Sequence, residues 1–320
     1  MLRYLLLCLF AAAPMAAAAP DLTRPADLSA LARGDTAYRF ETLHFRSADG
    51  KRGYRVFLGI PKQPAPPQGF AALYALDGNA LPEHLPTADT GRLKHPPVLV
   101  LLGYDTPLRF AAAERAWDYT PPAADGRPAA DTADPARLNG GAADFLRLLD
   151  DTIRPAVERR VRLNPQRQTL WGHSYGGLFV LYVLGAQPQA FTHYVAADPS
   201  LWWQNGLFLS RYAPQWRKQN MAGKHLLWLQ SGGAKPENAQ AASERVRRHR
   251  AATAAVSAET LAAWRAQLAE RGDLHFEYRL LPQHNHGSLL PFSFLYTLDL
   301  GRVVRKRCGG IFGQNPHLRR

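Results

Sequence analysis

Cysteine is nearly absent from this 320-residue chain, which has only Cys8 and Cys308. One of the two lies in an apolar leader, so the remaining thiol can close no intrachain disulfide and belongs to no Cys cluster of the structural-zinc kind. Long apolar runs are missing too. The longest, residues 5–13, is too short to span a bilayer and stops at Pro14. Acidic residues are outnumbered, 26 against 39 Lys and Arg, for a formal charge of +13. That balance raises the question of nucleic acid, but there is no zinc-finger spacing and no basic stripe interleaved with aromatics. The charge is either a solvated Arg-rich surface or an attraction for an anionic small molecule. No fixed-period repeat is present, which excludes a solenoid.

What is present begins with a leader. Arg3 precedes the apolar residues 5–13, and Ala16-Ala17-Ala18-Ala19 offers small residues for cleavage. Residues 1–19 therefore read as a secretory signal peptide, and export is expected. Cys8 sits inside the apolar core of that leader, the wrong place for lipid attachment. The remainder, residues 20–320, is long enough for one large core and reads as a single domain. Residues 20–35 read as an irregular lead-in, and residues 302–320 as a solvated basic end.

Residues 38–45 and 54–60 alternate with period two around the turn residues Ser47-Ala48-Asp49-Gly50, which predicts an antiparallel hairpin. Apolar runs at 70–76, 98–102, 169–171, 194–197, 226–229 and 276–281 read as buried strands. Helical patterns at 142–160, 178–184, 258–271 and after Leu290 separate several of them. Strands alternating with helices predict an α/β fold with a mostly parallel, twisted sheet of about eight strands, covered by helices on both faces. Residues 120–140, rich in Pro, Ala and Asp, read as a surface loop near the site, and residues 235–258 as a polar excursion.

The chemistry centres on Trp171-Gly172-His173-Ser174-Tyr175-Gly176-Gly177. An apolar run enters Gly172-x-Ser174-x-Gly176 and an apolar helical pattern leaves it, the strand–turn–helix setting of a nucleophilic serine. A serine hydroxyl is a weak nucleophile at neutral pH and needs a base, which in turn needs orienting. Downstream, His286 in Gln283-His284-Asn285-His286-Gly287-Ser288 follows the last strand pattern and is the candidate base, with His284 as runner-up. For the acid, Glu237 follows the 226–229 strand by a short loop. Asp198 in Ala197-Asp198-Pro199-Ser200 competes with it, Glu244 and Glu259 are further possibilities, and a Ser–His dyad oriented by a backbone carbonyl is another solution. The oxyanion of a tetrahedral intermediate needs two donors. The backbone N–H of Tyr175 supplies one, and the turn Leu76-Asp77-Gly78-Asn79 offers the N–H of Asn79 as the other. No cofactor is expected, and no carboxylate–histidine cluster matches His284 and His286 as a metal site.

A resemblance then emerges. Tyr74-Ala75-Leu76-Asp77-Gly78-Asn79, the strand ending Gly103-Tyr104, Arg115 with Asp118-Tyr119-Thr120-Pro121, Gly140-Gly141, the serine turn, Pro199-Ser200-Leu201-Trp202-Trp203 and His286-Gly287-Ser288 recur in that order. Over nearly all of residues 36–300 the chain resembles the esterase D-like branch of the α/β-hydrolases, and within it the secreted siderophore esterases that cut enterobactin and its glucosylated form. The resemblance implies an α/β-hydrolase fold and a secreted, periplasmic serine esterase. Ser174 would be the nucleophile, His286 the base, and Tyr175 and Asn79 the oxyanion donors. Asp198 departs from it, since the family often has Ser there. The implied substrate is an anionic catecholate, for which Tyr104, Trp202 and Trp203 would offer stacking faces and Arg109, Arg115 and Lys235 positive charge. Two other readings stay open: the same chemistry on another ester, such as a feruloyl, acetyl-sugar or thioester, and a siderophore-binding protein without turnover.

Overall fold

A computed structural model of the chain describes residues 22–88, 93, 95–132, 134–232 and 254–307. The leader at 1–19, most of the polar excursion and the end of the basic tail lie outside the described residues. The alternating segments form β1 (Tyr38–Arg46) and β2 (Gly53–Pro61), paired antiparallel from Tyr38↔Pro61 to Arg46↔Gly53. The turn between them uses Gly50 at φ 69°, a left-handed conformation natural to glycine.

The apolar runs become β3 (Phe70–Leu76) and β4 (Val98–Tyr104). After a two-residue ribbon, β5 (Ala129–Ala130) with β6 (Leu138–Asn139), come β7 (Leu163–His173), β8 (His193–Ala197), β9 (Lys224–Ser231) and β10 (Leu274–Leu281). The main sheet has eight strands in the order β1-β2-β4-β3-β7-β8-β9-β10. Only β1/β2 and β2/β4 are antiparallel; every pairing from β4 onward is parallel.

Both faces are covered, as a parallel sheet requires. The period-two alternation of each strand sends successive side chains to opposite layers. Leu170, Tyr194 and Trp228 pack with Phe145, Leu178 and Phe179 on one face. Trp171, Val195 and Leu229 pack with Leu289, Leu290 and Phe294 on the other, where the Trp171 and Phe294 rings meet edge-on at 5.7 Å. Deleting a fully buried ring such as Phe294 costs about 3–5 kcal/mol.

Several expectations shift in detail. The lead-in at 20–35 contains a helical turn, Ser29–Ala32, and is tied down by Ala26 N–H donating to the carbonyl of Pro107 (2.9 Å). The pattern at 142–160 is Ala142–Leu148, a widened turn at Leu149–Ile153, then Arg154–Glu158. Pro155 explains the widening, because it has no N–H to give the carbonyl four residues back and its ring crowds that carbonyl. The last helix, His286–Arg307, runs into the segment read as a solvated tail. Among the described residues no helix is long and apolar enough to cross a membrane.

Candidate active site

Ser174 stands between the end of β7 and helix Tyr175–Ala186, with φ 61° and ψ −118°, a strained conformation for a residue with a Cβ. The glycines that permit the turn are not equally constrained. A Cβ on Gly172 would lie 2.4 Å from the backbone of Gly176, and one on Gly177 2.9 Å from the carbonyl of Ala197, whereas the nearest atom to one on Gly176 is Leu76 Cδ1 at 3.3 Å. The turn is stitched to the next strand: Ser174 N–H donates to Ala197 (2.9 Å), and Ser200 N–H donates to the carbonyl of Ser174 (3.1 Å). The Ser174 hydroxyl rests against that of Ser200 at 3.2 Å.

Strand β8 runs straight into the acid. Asp198 has φ 41°, and its carboxylate is only 4% exposed. It accepts from Ser231 N–H (2.7 Å), Gln230 Nε2 (2.8 Å) and Ser231 Oγ (2.6 Å), all at the end of β9, and pairs with His286 Nδ1 at 3.0 Å. Burial raises its pKa, but the hydrogen bond from His286 and the charge that ring carries when protonated outweigh that, holding it below the usual carboxylate value. A carboxylate with four donors stays ionised and fixes the imidazole's tautomer, leaving Nε2 for chemistry.

His286 opens the last helix through a reciprocal cap. Asn285 Oδ1 accepts from Ser288 N–H (2.9 Å), while Asn285 N–H donates to Ser288 Oγ (3.0 Å). The His286 ring packs on that of His173 at 4.4 Å, so Ser174 and His286 converge at one end of the sheet. Burial, then the neighbouring His286, holds His173 neutral, well below the usual histidine value. His284, the runner-up, lies against Phe292 at 4.2 Å and Ser288 Oγ at 3.3 Å, away from Asp198. His173, Asp198 and His286 offer ligand atoms within 4.8 Å of one another. The carboxylate's four hydrogen bonds fit a proton relay better than a metal centre.

For the acid, then, the structure favours the competitor Asp198. Glu237 lies outside the described residues, as do Glu244 and Lys235, while Glu259 is on the first turn of helix Ala258–Ala269. Asn79 is buried behind Gly78, and its side chain pegs the loop after β4. It donates to the carbonyls of Tyr104, Thr106 and Leu108, each at 3.1 Å, and accepts from Tyr104 N–H (3.0 Å). Its backbone N–H follows Asp77, which holds the left-handed φ of 56°.

Two of the four proposed substrate contacts are corrected. Tyr104 is 4% exposed and packs between Tyr54 and Tyr119, because β4 continues inward past residue 102. Trp203 is fully buried, its indole N–H donating to Asn139 Oδ1 at 2.8 Å. Arg115 is paired with Asp77, with Nε at 2.9 Å and Nη2 at 2.8 Å from the two carboxylate oxygens, and its side chain stays 15% exposed. Arg109 likewise pairs with Glu83 at 2.7 Å. Trp202 remains half-buried, its ring 5.7 Å from that of Tyr175.

The sequence reading missed a buried polar chain behind the serine. Tyr175 donates its phenol hydrogen to Asp131 Oδ2 (2.6 Å), Asn139 Nδ2 donates to the same oxygen (3.1 Å), and Trp203 completes it. Asp131 and Asn139 lie in the stretch read as a surface loop, yet are 1% and 0% exposed. The one available signal was an Asn and an Asp flanking a short β-ribbon.

In chain order the reacting groups run Ser174, Asp198, His286, on the edge of the sheet where the parallel strands end. That arrangement belongs to the serine hydrolases of α/β-hydrolase fold. The chain is a member of the Esterase family, whose profile matches residues 47–286, more than half of its length, and it is an ester-hydrolysing enzyme. It is 38% identical over 223 residues to the apo-salmochelin esterase of Escherichia coli O6:H1, covering 69% of each chain. It is 31% identical over 255 residues to the ferri-bacillibactin esterase of Bacillus subtilis, covering 77% of this chain and 83% of the relative. Among solved structures, the enterobactin and salmochelin hydrolase IroE superposes with a TM-score of 0.64 at 31% identity, covering 85% of this chain and 98% of that one. The siderophore hydrolase EstA from Aspergillus nidulans does so with 0.68 at 26% identity, covering 87% and 96%.

Proposed function

We propose that this esterase cleaves the ester bonds of a catecholate siderophore through an acyl-enzyme on Ser174, and that it does so outside the cytoplasm after removal of residues 1–19. The substrate class is supported by relatives named for salmochelin, bacillibactin and enterobactin. The observation that carries the mechanism is the 3.0 Å contact of His286 Nδ1 with Asp198 beside the serine turn.

The hydroxyl of Ser174 first exchanges Ser200 for the Nε2 of His286. As the oxygen attacks the ester carbonyl, its proton passes to Nε2, and the imidazolium is stabilised by the Asp198 carboxylate. The carbonyl oxygen becomes an oxyanion, received by the N–H of Tyr175 and an N–H of the Gly78-Asn79 turn, each donor lowering the barrier by about 3 kcal/mol. Collapse expels the alkoxide, protonated by His286. Water, deprotonated by the same imidazole, then releases the acid and restores Ser174. Base catalysis of this kind contributes roughly 10²–10⁴-fold.

The test is product analysis by mass after incubating purified protein with ferric and iron-free enterobactin and with a simple aryl acetate. The expected result is linearised and shortened siderophore, a kcat/KM above that for the aryl acetate, and no turnover by Ser174→Ala. A higher kcat/KM for the aryl acetate would shift the reading to another ester. Tight siderophore binding, with no labelling of Ser174 by a fluorophosphonate, would make this a binding protein.

A further inference from the structure

We propose that Gln204 is a positioning residue for substrate recognition: tied to the β5–β6 ribbon, it holds a left-handed turn that sets the Trp202 ring beside Tyr175. The inference deepens the siderophore-esterase reading and rests on it, because the ring so placed is the wall offered to a flat aromatic group of the substrate.

The chain just past the two tryptophans is left-handed at three consecutive residues: Gln204 (φ 47°), Asn205 (φ 54°) and Gly206 (φ 83°). Glycine does this freely and asparagine with modest reluctance, but residues with side chains rarely do so in succession. A glutamine there persists only where its surroundings over-determine it. Here they do. The Gln204 backbone N–H donates to Thr132 Oγ1 (3.2 Å), and its side-chain amide donates to the carbonyl of Ala130 (2.8 Å). Ala130 is the second residue of β5, and Thr132 lies two positions on. The far end of the turn is fixed as well, since a Cβ on Gly206 would lie 2.8 Å from Val256 Cγ2.

The turn lets two adjacent indoles part. Trp203 enters the core, while Trp202 stays half-buried with its ring 5.7 Å from that of Tyr175, tilted by 39°. Trp202 stands two residues past Ser200, whose hydroxyl rests against Ser174, and Tyr175 directly follows the nucleophile. The ring pair therefore borders the reacting serine. The same ribbon grips the pair from its other side: Asp131 Oδ2 accepts the Tyr175 phenol hydrogen (2.6 Å), and Asn139 Oδ1 accepts the Trp203 indole N–H (2.8 Å). One short ribbon thus sets both the nucleophile's neighbour and the turn that carries Trp202. An indole fixed in advance spares the substrate the entropy cost of ordering it, and aromatic rings stack in tilted or offset pairs. That gives the strained turn a purpose that a relaxed helix entry would not serve.

The experiment compares Gln204→Met, Gln204→Gly, Trp202→Ala and the double variant Trp202→Ala/Gln204→Met on ferric enterobactin and on an aryl acetate. Methionine keeps the length and loses the amide; glycine loses the amide but takes the left-handed turn unaided. Gln204→Met is expected to raise KM for the siderophore about five- to tenfold, with kcat and the aryl acetate rates unchanged. Gln204→Gly should recover most of that loss, and the double variant should be no worse than Trp202→Ala alone. If Gln204→Met fails to fold, Thr132→Val, which removes only the acceptor of the Gln204 N–H, should raise the same KM about threefold. An unchanged KM in whichever of these two is folded would overturn the proposal. So would a glycine variant as impaired as the methionine one, which would make the amide itself a substrate contact, and so would losses that add to those of Trp202→Ala. A wild type that hydrolyses the aryl acetate but not the siderophore would sink the siderophore reading alone. The turn is then judged with salicylamide, a flat aromatic amide, as a competitive inhibitor of aryl acetate hydrolysis. Its inhibition should weaken in Gln204→Met by the same factor, and an unchanged inhibition constant would overturn the role of Gln204.

Discussion

Asp198 meets His286 from the end of β8, with Oδ2 at 3.0 Å from Nδ1, one strand earlier than the 226–229 loop where a carboxylate was expected. Three of the donors that hold it come from Gln230 and Ser231 at the tip of β9, so the neighbouring strand contributes the socket and not the acid. Asp198→Asn is expected to lower kcat by about 10³–10⁴-fold at neutral pH, because the amide no longer selects the productive tautomer. Glu237→Gln is expected to stay within twofold of wild type. Steady-state rates on an aryl ester decide it, and reversed magnitudes would return the acid's role to Glu237.

The adjacent tryptophans should separate. Trp203→Phe removes the donor to Asn139 in the core and leaves that oxygen unpaired, a cost of about 1–3 kcal/mol. Thermal unfolding should show it as a lowered Tm. Trp202→Ala, at the half-buried position beside Tyr175, is expected to raise KM for the siderophore several-fold with Tm little changed. A KM effect confined to Trp203 would contradict the assignment.

Ser200 offers a check on the resting nucleophile. Its hydroxyl is the recorded partner of Ser174 Oγ, at 3.2 Å, and must be given up before reaction. Ser200→Ala should therefore keep the rate of fluorophosphonate labelling within about tenfold of wild type. A thousandfold loss would give Ser200 a part in the chemistry itself.

A pH dependence of stability comes from the far end of the sheet. His193, His225 and His275 stack across β8, β9 and β10 at 4.6 and 4.5 Å. Burial, then His225, Arg167 and Lys224, lower the His193 pKa to about 4, while Thr192 Oγ1 sits at 2.9 Å from Nδ1. The unfolded chain takes up a proton near pH 6.5 that the folded chain refuses until about pH 4. Stability from this group is thus complete above pH 6.5 and lost as pH falls towards 4, by at most about 3 kcal/mol. Denaturant titrations at pH 7 and pH 4.5 should show a smaller difference for His193→Gln than for wild type. An equal difference in the two proteins would refute this.

Six of the eight strands were legible as apolar runs too short for a buried helix, the first two by their period-two alternation, and the elbow because glycine spacing and context agree. The ends were less so. β4 extends two residues beyond its apolar run, and this carries Tyr104 into the core. Asp198 and Glu237 each follow a strand by a short step, and spacing alone cannot rank them. What ranks them is the donor set of Gln230 and Ser231, which only tertiary placement supplies. The partner that orients Arg115 was hidden for the same reason: Asp77 is 38 residues away. Asp131 and Asn139, in a Pro- and Ala-rich stretch, gave no periodic pattern to mark them as buried.

The serine turn and the acid-bearing turn are laced together by Ser174 to Ala197 and Ser200 to Ser174, so nucleophile and acid ride on one stiff piece. The imidazole arrives separately, on a cap of two side chains at the head of the final helix. Warming should unfasten that cap while the strands stay paired, so catalytic output would fade at a lower temperature than the circular-dichroism transition, and reversibly.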